Sequence, residues 1–171
     1  ETDQDMDWAS VPSQTFDVIT MLDVAEHVRS PLELFAQCFR MLRTGGYIYF
    51  HTPVVTKLDR MMHHVARLPL IGRIGRIWQR GRTSIFHLQN YTDKSFQLAL
   101  SRVGFAEIQI QNRNELSWPV HRYVRVYFCD KQHLPPGLAP ILAPLFYPLL
   151  ATNVFNSNKG IVTARKFANA S

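Results

Sequence analysis

Apolar and polar segments alternate near the start of the chain in a way that predicts a strand, a helix and a second strand. The apolar run at 16–22 alternates too little for a half-exposed strand, so we predict a strand buried on both faces of a parallel sheet. Apolar residues then recur at helical spacing over 32–42, and Gly45 is predicted to end that helix. A second apolar strand is predicted over 47–51. The three elements form a crossover unit that joins two parallel strands.

The later elements continue the same alternation. Helices are predicted over 56–68, 73–79 and 92–103, a strand over 107–111 and a last strand over 160–164. We expect the last strand to lie antiparallel beside the strand before it. The segment 115–158 is an aromatic and proline-rich insert of mixed helix and loop.

Polar side chains follow both strands of the first unit. Asp23, Glu26 and His27 come directly after the first strand, and His51 and Thr52 end the second. Ligands of open parallel sheets bind in the crevice outside the carboxyl ends of the strands. The sequence therefore predicts a functional site at this edge.

Residues 16–53, FDVITMLDVAEHVRSPLELFAQCFRMLRTGGYIYFHTP, resemble the fourth strand, following helix and fifth strand of class I S-adenosylmethionine-dependent methyltransferases. The matching positions are Phe16, Asp17, Glu26, His27, Pro31, Leu34, Arg40, Leu42, Gly45, Gly46, Thr52 and Pro53. The resemblance implies an α/β, Rossmann-like doubly wound sheet with an antiparallel last strand. It also implies S-adenosylmethionine as the cofactor.

The family's acidic, glycine-rich cofactor loop has no counterpart before Phe16. Gly72, Gly75 and Gly81 do not supply it, because no apolar strand leads into them. The expectation is thus a single partial methyltransferase domain over 1–171, its carboxyl-terminal half, without the first strands and the loop. Such a chain is expected to bind the cofactor poorly on its own and to be inactive alone.

The resemblance also implies roles for individual residues. The expected catalytic residues are Glu26 and His27, the cofactor-binding ones Asp7, Trp8, Leu22 and Asp23, and the substrate-binding ones His51, Thr52 and His87. His27 has an ordinary pKa suited to a general base near neutral pH. The alternatives are that Glu26 and His27 only cap a turn, and that Asp7 belongs to a solvated acidic tail.

The spacing Asp-x-x-Glu-His resembles a cluster that some family members use with a divalent metal. Here the metal candidates are Asp23, Glu26, His27 and His87. Many relatives keep the Glu-His pair without a metal, and Asp23 stands where the metal users have Glu. We therefore expect no metal, with a divalent ion as the alternative.

The charge of the chain is concentrated in one segment. The net charge is +6, and seven Lys or Arg residues with a single Asp lie between Lys57 and Arg82, which defines a basic insert or lid at 57–86. The apolar run at 134–150 is too short and too rich in proline to span a bilayer. These segments suit either a solvated face or peripheral membrane contact. Nucleic acid is disfavoured, since no recognised nucleic-acid motif is present.

Together these features predict an enzyme that transfers a methyl group from S-adenosylmethionine to a small-molecule or lipid-like acceptor. Cys38 and Cys129 occupy apolar patterns and are expected to be free thiols of a cytoplasmic protein, with a membrane-peripheral location as the alternative. The competing hypotheses are a non-catalytic methyltransferase-like binding module and a membrane-peripheral interaction protein. The acceptor and the oligomeric state stay open.

Overall fold

The computed structural model describes residues 8–82, 87–116, 119–130 and 135–168. In chain order the elements are β1 (Phe16–Leu22), α1 (Pro31–Met41), β2 (Leu42–Pro53), α2 (Lys57–Val65), α3 (Gly72–Arg82), α4 (Asp93–Val103), β3 (Phe105–Arg113), α5 (Val120–Val124), α6 (Ala139–Leu150) and β4 (Lys159–Lys166). The chain divides into two compact units, one of residues 1–54, 86–112 and 159–171, the other of 55–85 and 113–158. Most of each segment predicted as an insert falls in the second unit.

The first unit contains a four-stranded sheet of order β1-β2-β4-β3. β1 pairs parallel with β2, which places Leu22 opposite His51. β2 pairs antiparallel with β4, which places Pro53 opposite Lys159. The predicted parallel crossover is confirmed, and the last strand lies beside β3 as predicted. Its antiparallel pairing is with β2, on its other side. The carboxyl ends of β1 and β2 and the first residue of β4 therefore share one edge.

Aromatic side chains form the centre of this unit. Phe50 on β2 stacks on Phe35 of α1 with ring centroids 5.4 Å apart and meets Phe96 of α4 edge-on at 5.1 Å. Tyr91 stacks on Phe96 at 4.3 Å. Such pairs add to the hydrophobic gain of burying large rings. This core holds α1 and α4 on the sheet and so fixes the strand ends that carry the polar residues.

Two predictions about this unit are wrong. β1 is not buried on both faces, since Val18 is 54% exposed and Met21 is its single buried residue. Within the described residues β1 is an edge strand that pairs only with β2. Gly45 does not end α1, because Leu42 is already extended and β2 begins there. Gly45 instead has φ +87° inside β2, near the point where the register with β1 shifts, a role typical of glycine at a bulge.

The second unit begins with a helical hairpin of α2 and α3. The Thr56 side chain and Asp59 form a capping box at the start of α2, which satisfies donors that the helix leaves unpaired. Trp78 on α3 is fully buried and donates its Nε1–H to Asp59 Oδ1 at 2.9 Å. Both predicted helices are confirmed with shifted bounds.

The rest of the second unit is built from α5, a π-helical turn at Arg125–Cys129 and α6. Val124 and Leu150 are fully buried in its core, and Phe146 of α6 stacks on Trp78 at 6.0 Å. Pro144 and Pro148 lie inside α6. None of the helices in the described residues has both the length and the apolar character needed to cross a membrane.

Candidate functional site

Asp23 forms the turn that follows β1. Its φ of +52° is unusual for a residue other than glycine, and its backbone N–H donates to the His51 carbonyl at 2.8 Å. The carboxylate accepts a hydrogen bond from the Lys159 ammonium and lies 3.8 Å from His51 Nδ1. Lys159 reaches Asp23 because β4 runs antiparallel and begins at this edge.

Glu26 is the buried acid of the site. It lies on the 3₁₀ turn Ala25–His27, its side chain is 1% exposed, and its Oε2 accepts a hydrogen bond from Thr52 Oγ1 at 2.7 Å. Its Oε1 is buried and has no hydrogen-bond partner among the described residues. A carboxylate oxygen in that state costs free energy unless a donor or a cation approaches it.

The turn that carries Glu26 is held by the segment before α4. The Glu26 carbonyl accepts from the Leu88 and Gln89 N–H groups at 2.8 and 3.0 Å. The Tyr91 hydroxyl donates to the Ala25 carbonyl at 2.8 Å. These bonds bring His87 to the turn and fix the position of the Glu26 backbone.

Two imidazoles lie beside the buried carboxylate. The His27 and His87 rings meet edge-on with centroids 5.1 Å apart, and His27 Nε2 is 4.0 Å from Glu26 Oε1. The pKa of His87 is lowered, mainly by burial; His27 and Lys159 lower it further, while Glu26 and Asp23 oppose the shift. His87 is therefore neutral at neutral pH and can accept a proton.

Most of the predicted site residues meet at this edge. The structure brings together Asp23, Glu26, His27, His51, Thr52 and His87. Leu22 precedes them with an exposed side chain. Trp8 packs against the core of the first unit, and its carbonyl accepts from Arg40 Nη2 at 2.7 Å. Asp7 lies outside the described residues.

Sequence reasoning did not find Lys159 or Tyr91. Lys159 is 136 residues from Asp23 in the chain, and its role depends on where the last strand begins. The aromatic Tyr91 follows His87 within four positions, but only the fold shows that its hydroxyl supports the acidic turn. Lys159 carries no local motif, and the His-x-x-x-Tyr-Thr arrangement at 87–92 resembles the family without indicating what the Tyr91 hydroxyl contacts.

The donor atoms of Glu26, His27 and His87 lie within 4.8 Å of one another. One carboxylate and two imidazoles are ligands that suit Zn²⁺ or Mn²⁺. Asp23, the fourth candidate, does not belong to this group and pairs with Lys159 instead. Three of the four residues named for the alternative of a divalent ion are thus close together in the fold.

Other residues line two cavities in the described part of the chain. One of about 680 Å³ is in the second unit, where it is lined by residues of α5 and α6 that include Val120 and Tyr147. The other, about 360 Å³, lies in the first unit beside Phe39 of α1 and Arg102 of α4. Neither is lined by Glu26, His27 or His87.

An open sheet with an antiparallel strand next to its edge, and a polar cluster at the strand ends, is typical of the class I S-adenosylmethionine-dependent methyltransferase fold. A SAM-dependent methyltransferase from Archaeoglobus fulgidus superposes with a TM-score of 0.54 at 16% identity, covering 93% of this chain and 63% of that one. The cyclase SpnF superposes with a TM-score of 0.52 at 19% identity, covering 96% of this chain and 56% of that one. These likenesses show the fold.

A family profile described as a methyltransferase domain matches residues 1–110. The chain therefore belongs to the methyltransferase domain family. A ubiquinone biosynthesis O-methyltransferase from Pseudomonas fluorescens is 45% identical over 42 residues, which cover 25% of this chain and 18% of that protein. One from Thiobacillus denitrificans is 37% identical over 46 residues, covering 27% and 20%. The matched segment thus spans about a fifth of the length of these curated relatives.

Proposed function

We propose that this protein transfers a methyl group from S-adenosylmethionine to a hydroxyl group of a small-molecule or lipid-like acceptor. The observation that carries the proposal is the buried Glu26 carboxylate beside two imidazoles, at the strand ends where such folds bind ligands. A buried carboxylate oxygen without a hydrogen-bond partner among the described residues costs stability and is typical of a functional site.

The carboxylates at the strand ends complement the positive charge of the cofactor. S-adenosylmethionine carries a sulfonium and an α-amino group, and when bound it supplies an electrophilic methyl group. Glu26 Oε1 is a buried acceptor without a hydrogen-bond partner among the described residues, and the Asp23 carboxylate follows β1. Leu22 and Asp23, with Trp8 on the preceding turn, are the residues that would hold the cofactor.

The chain's own residues would prepare the acceptor. A hydroxyl must lose its proton when it attacks a methyl group, and phenols have a pKa of about 10, so a nearby base is needed. His87 is the candidate base, because its pKa is lowered and its imidazole is neutral. Glu26 would stabilise the imidazolium that forms, and Thr52 holds the Glu26 carboxylate in place.

Two further observations support the finer points of the proposal. The relatives named ubiquinone biosynthesis O-methyltransferase methylate an oxygen by name, which favours a hydroxyl acceptor over an amine or a carbon. Cys38 and Cys129 are free and buried, and burial raises the pKa of Cys38 to about 12, so its thiol is inert. Free thiols favour a cytoplasmic location.

The test is methyl transfer by the protein at its natural length, with radiolabelled S-adenosylmethionine and a panel of phenols, aliphatic alcohols and amines. We expect an O-methylated product and proportionate formation of S-adenosylhomocysteine. Calorimetry in parallel separates the alternatives. Absence of cofactor binding would favour a non-catalytic binding module instead.

The pH dependence of methyl transfer should follow the protonation of His87. Its pKa is lowered, so we expect the acid limb of the kcat/KM profile below pH ~6.5, the ordinary value for His. Lys159→Met removes a cation that lowers this pKa and leaves Asp23 free to raise it, so the limb should move to higher pH. The control Lys94→Met removes a charge on the exposed surface of α4 and should leave the profile unchanged.

Folding stability should also fall as the pH decreases, because His87 is harder to protonate in the folded protein. The His87 pKa is lower in the folded than in the unfolded protein, so its contribution is complete above pH ~6.5 and is lost as the pH falls below that value. Identical pH profiles for wild type and Lys159→Met would contradict the role of His87 as the base.

A further inference from the structure

We propose that the turn between α2 and α3 docks on an anionic membrane surface. This hairpin tip is defined here as residues 67–74, with the sequence RLPLIGRI. The inference concerns the second unit alone and does not depend on the methyl-transfer proposal.

Apolar side chains are exposed together at the hairpin tip. Leu70 is 96% exposed, and Leu68, Ile71 and Ile74 are exposed as well. Single exposed apolar residues are common on soluble proteins, but four within seven positions form a patch, and such patches mark interaction sites. Aliphatic side chains of this kind are suited to the boundary between lipid headgroups and acyl chains.

Exposed basic side chains lie within and next to the hairpin tip in the sequence. Arg67, Arg73, Arg76 and Arg80 are exposed on the hairpin. The sequence contains no Asp or Glu between Asp59 and Asp93, so no acid of this stretch neutralises them. Anionic lipids attract such residues, and each contributes about fivefold in affinity near the surface. Exposed arginines on the same hairpin as an exposed aliphatic tip are complementary to an anionic bilayer.

Nucleic acid is the less suitable partner for this surface. Proteins that bind single strands stack bases on aromatic side chains. The hairpin tip has none, and Trp78, the aromatic residue of α3, is buried. A phosphate backbone would use the arginines but would leave Leu70 without a role.

Hydrogen bonds and close helix packing support the hairpin tip. The Gly72 N–H donates to the Leu68 carbonyl at 2.9 Å, and Arg76 Nη1 donates to the Ala66 carbonyl at 3.0 Å. A Cβ at Gly75 would lie 2.4 Å from the backbone N of Ala66, so the two helices approach more closely there than a side chain allows. A pre-formed tip loses little conformational entropy when it binds.

The experiment is vesicle flotation of the protein at its natural length, with phosphatidylcholine vesicles that contain or lack phosphatidylglycerol. Wild type should bind the anionic vesicles only. Leu70→Asn should weaken binding roughly tenfold, since it removes one buried leucine from the lipid. The matched control is Leu98→Asn on α4, where the leucine is 68% exposed, and it should bind like wild type.

A second pair of variants tests the charges. Arg73→Gln with Arg80→Gln should weaken anionic-vesicle binding more than tenfold, whereas Lys94→Gln with Arg102→Gln removes the same charge from α4 and should change it little. Unchanged thermal melting of Leu70→Asn shows that the fold is retained. The proposal is overturned if Leu70→Asn binds anionic vesicles as tightly as wild type. That includes the outcome in which only the arginine pair weakens vesicle binding and the protein also binds an RNA oligonucleotide.

Discussion

Glu26→Gln should raise the thermal stability of the protein while it lowers the rate of methyl transfer about 100-fold. Glutamine has the size of glutamate, and its amide oxygen can still accept from the Thr52 hydroxyl. The substitution removes a buried carboxylate whose Oε1 has no hydrogen-bond partner among the described residues, which should stabilise the fold by about 1 kcal/mol. The lost charge no longer stabilises an imidazolium on His27 or His87.

Thermal denaturation and single-turnover methyl transfer, measured on the same preparation, test the expected rise in stability and the expected fall in rate. Glu33→Gln is the matched control, because Glu33 is exposed on α1 and its loss should change neither quantity. If Glu26→Gln lowers stability and activity together, the carboxylate has a structural role and the proposed catalytic one is wrong. Opposite signs are typical of a residue kept for function at a cost in stability.

The local part of the fold could be predicted from the sequence because its signals are short in range. β1, α1 and β2 follow from apolar periodicity over 16–53, and their parallel pairing follows from the length of the crossover. Thr92 and Gly104 bound α4 as predicted, with a capping box at one end and a left-handed residue at the other. Asp23, Glu26 and His51 lie at one edge because they follow or end the two parallel strands β1 and β2.

Burial and long-range pairing could not be predicted from local pattern. The composition of β1 is that of a covered strand, yet Leu22 and Val18 are exposed, because coverage depends on which elements neighbour the strand. Lys159 belongs to the edge only because β4 inserts beside β2 and runs the other way. His87 was placed by family resemblance, and the hydrogen bonds that bring it to Glu26 come from the backbone of Leu88 and Gln89, which carries no sequence signal.

The glycines of α3 show how a motif gains meaning from packing. Gly72 and Gly75 resembled a weak glycine cluster in the sequence, and neither belongs to a cofactor loop. In the structure they let α3 approach the end of α2. A Cβ built on Gly72 would meet the Ala66 carbonyl oxygen at 2.7 Å, and one on Gly75 would lie 2.4 Å from both Ala66 N and the Met62 carbonyl oxygen.

Gly75→Ala should therefore destabilise the protein by about 3 kcal/mol, because the contacted atoms belong to backbone and cannot rotate away as a side chain would. Alanine otherwise favours a helix over glycine by about 1 kcal/mol, so a purely local effect would have the opposite sign. Gly137→Ala is the matched control, since a Cβ there meets nothing within 4 Å. Chemical denaturation of the two variants decides the matter: if Gly75→Ala is as stable as Gly137→Ala, the close approach of α2 and α3 is wrong. The fixed presentation of Leu70 at the hairpin tip would be wrong with it.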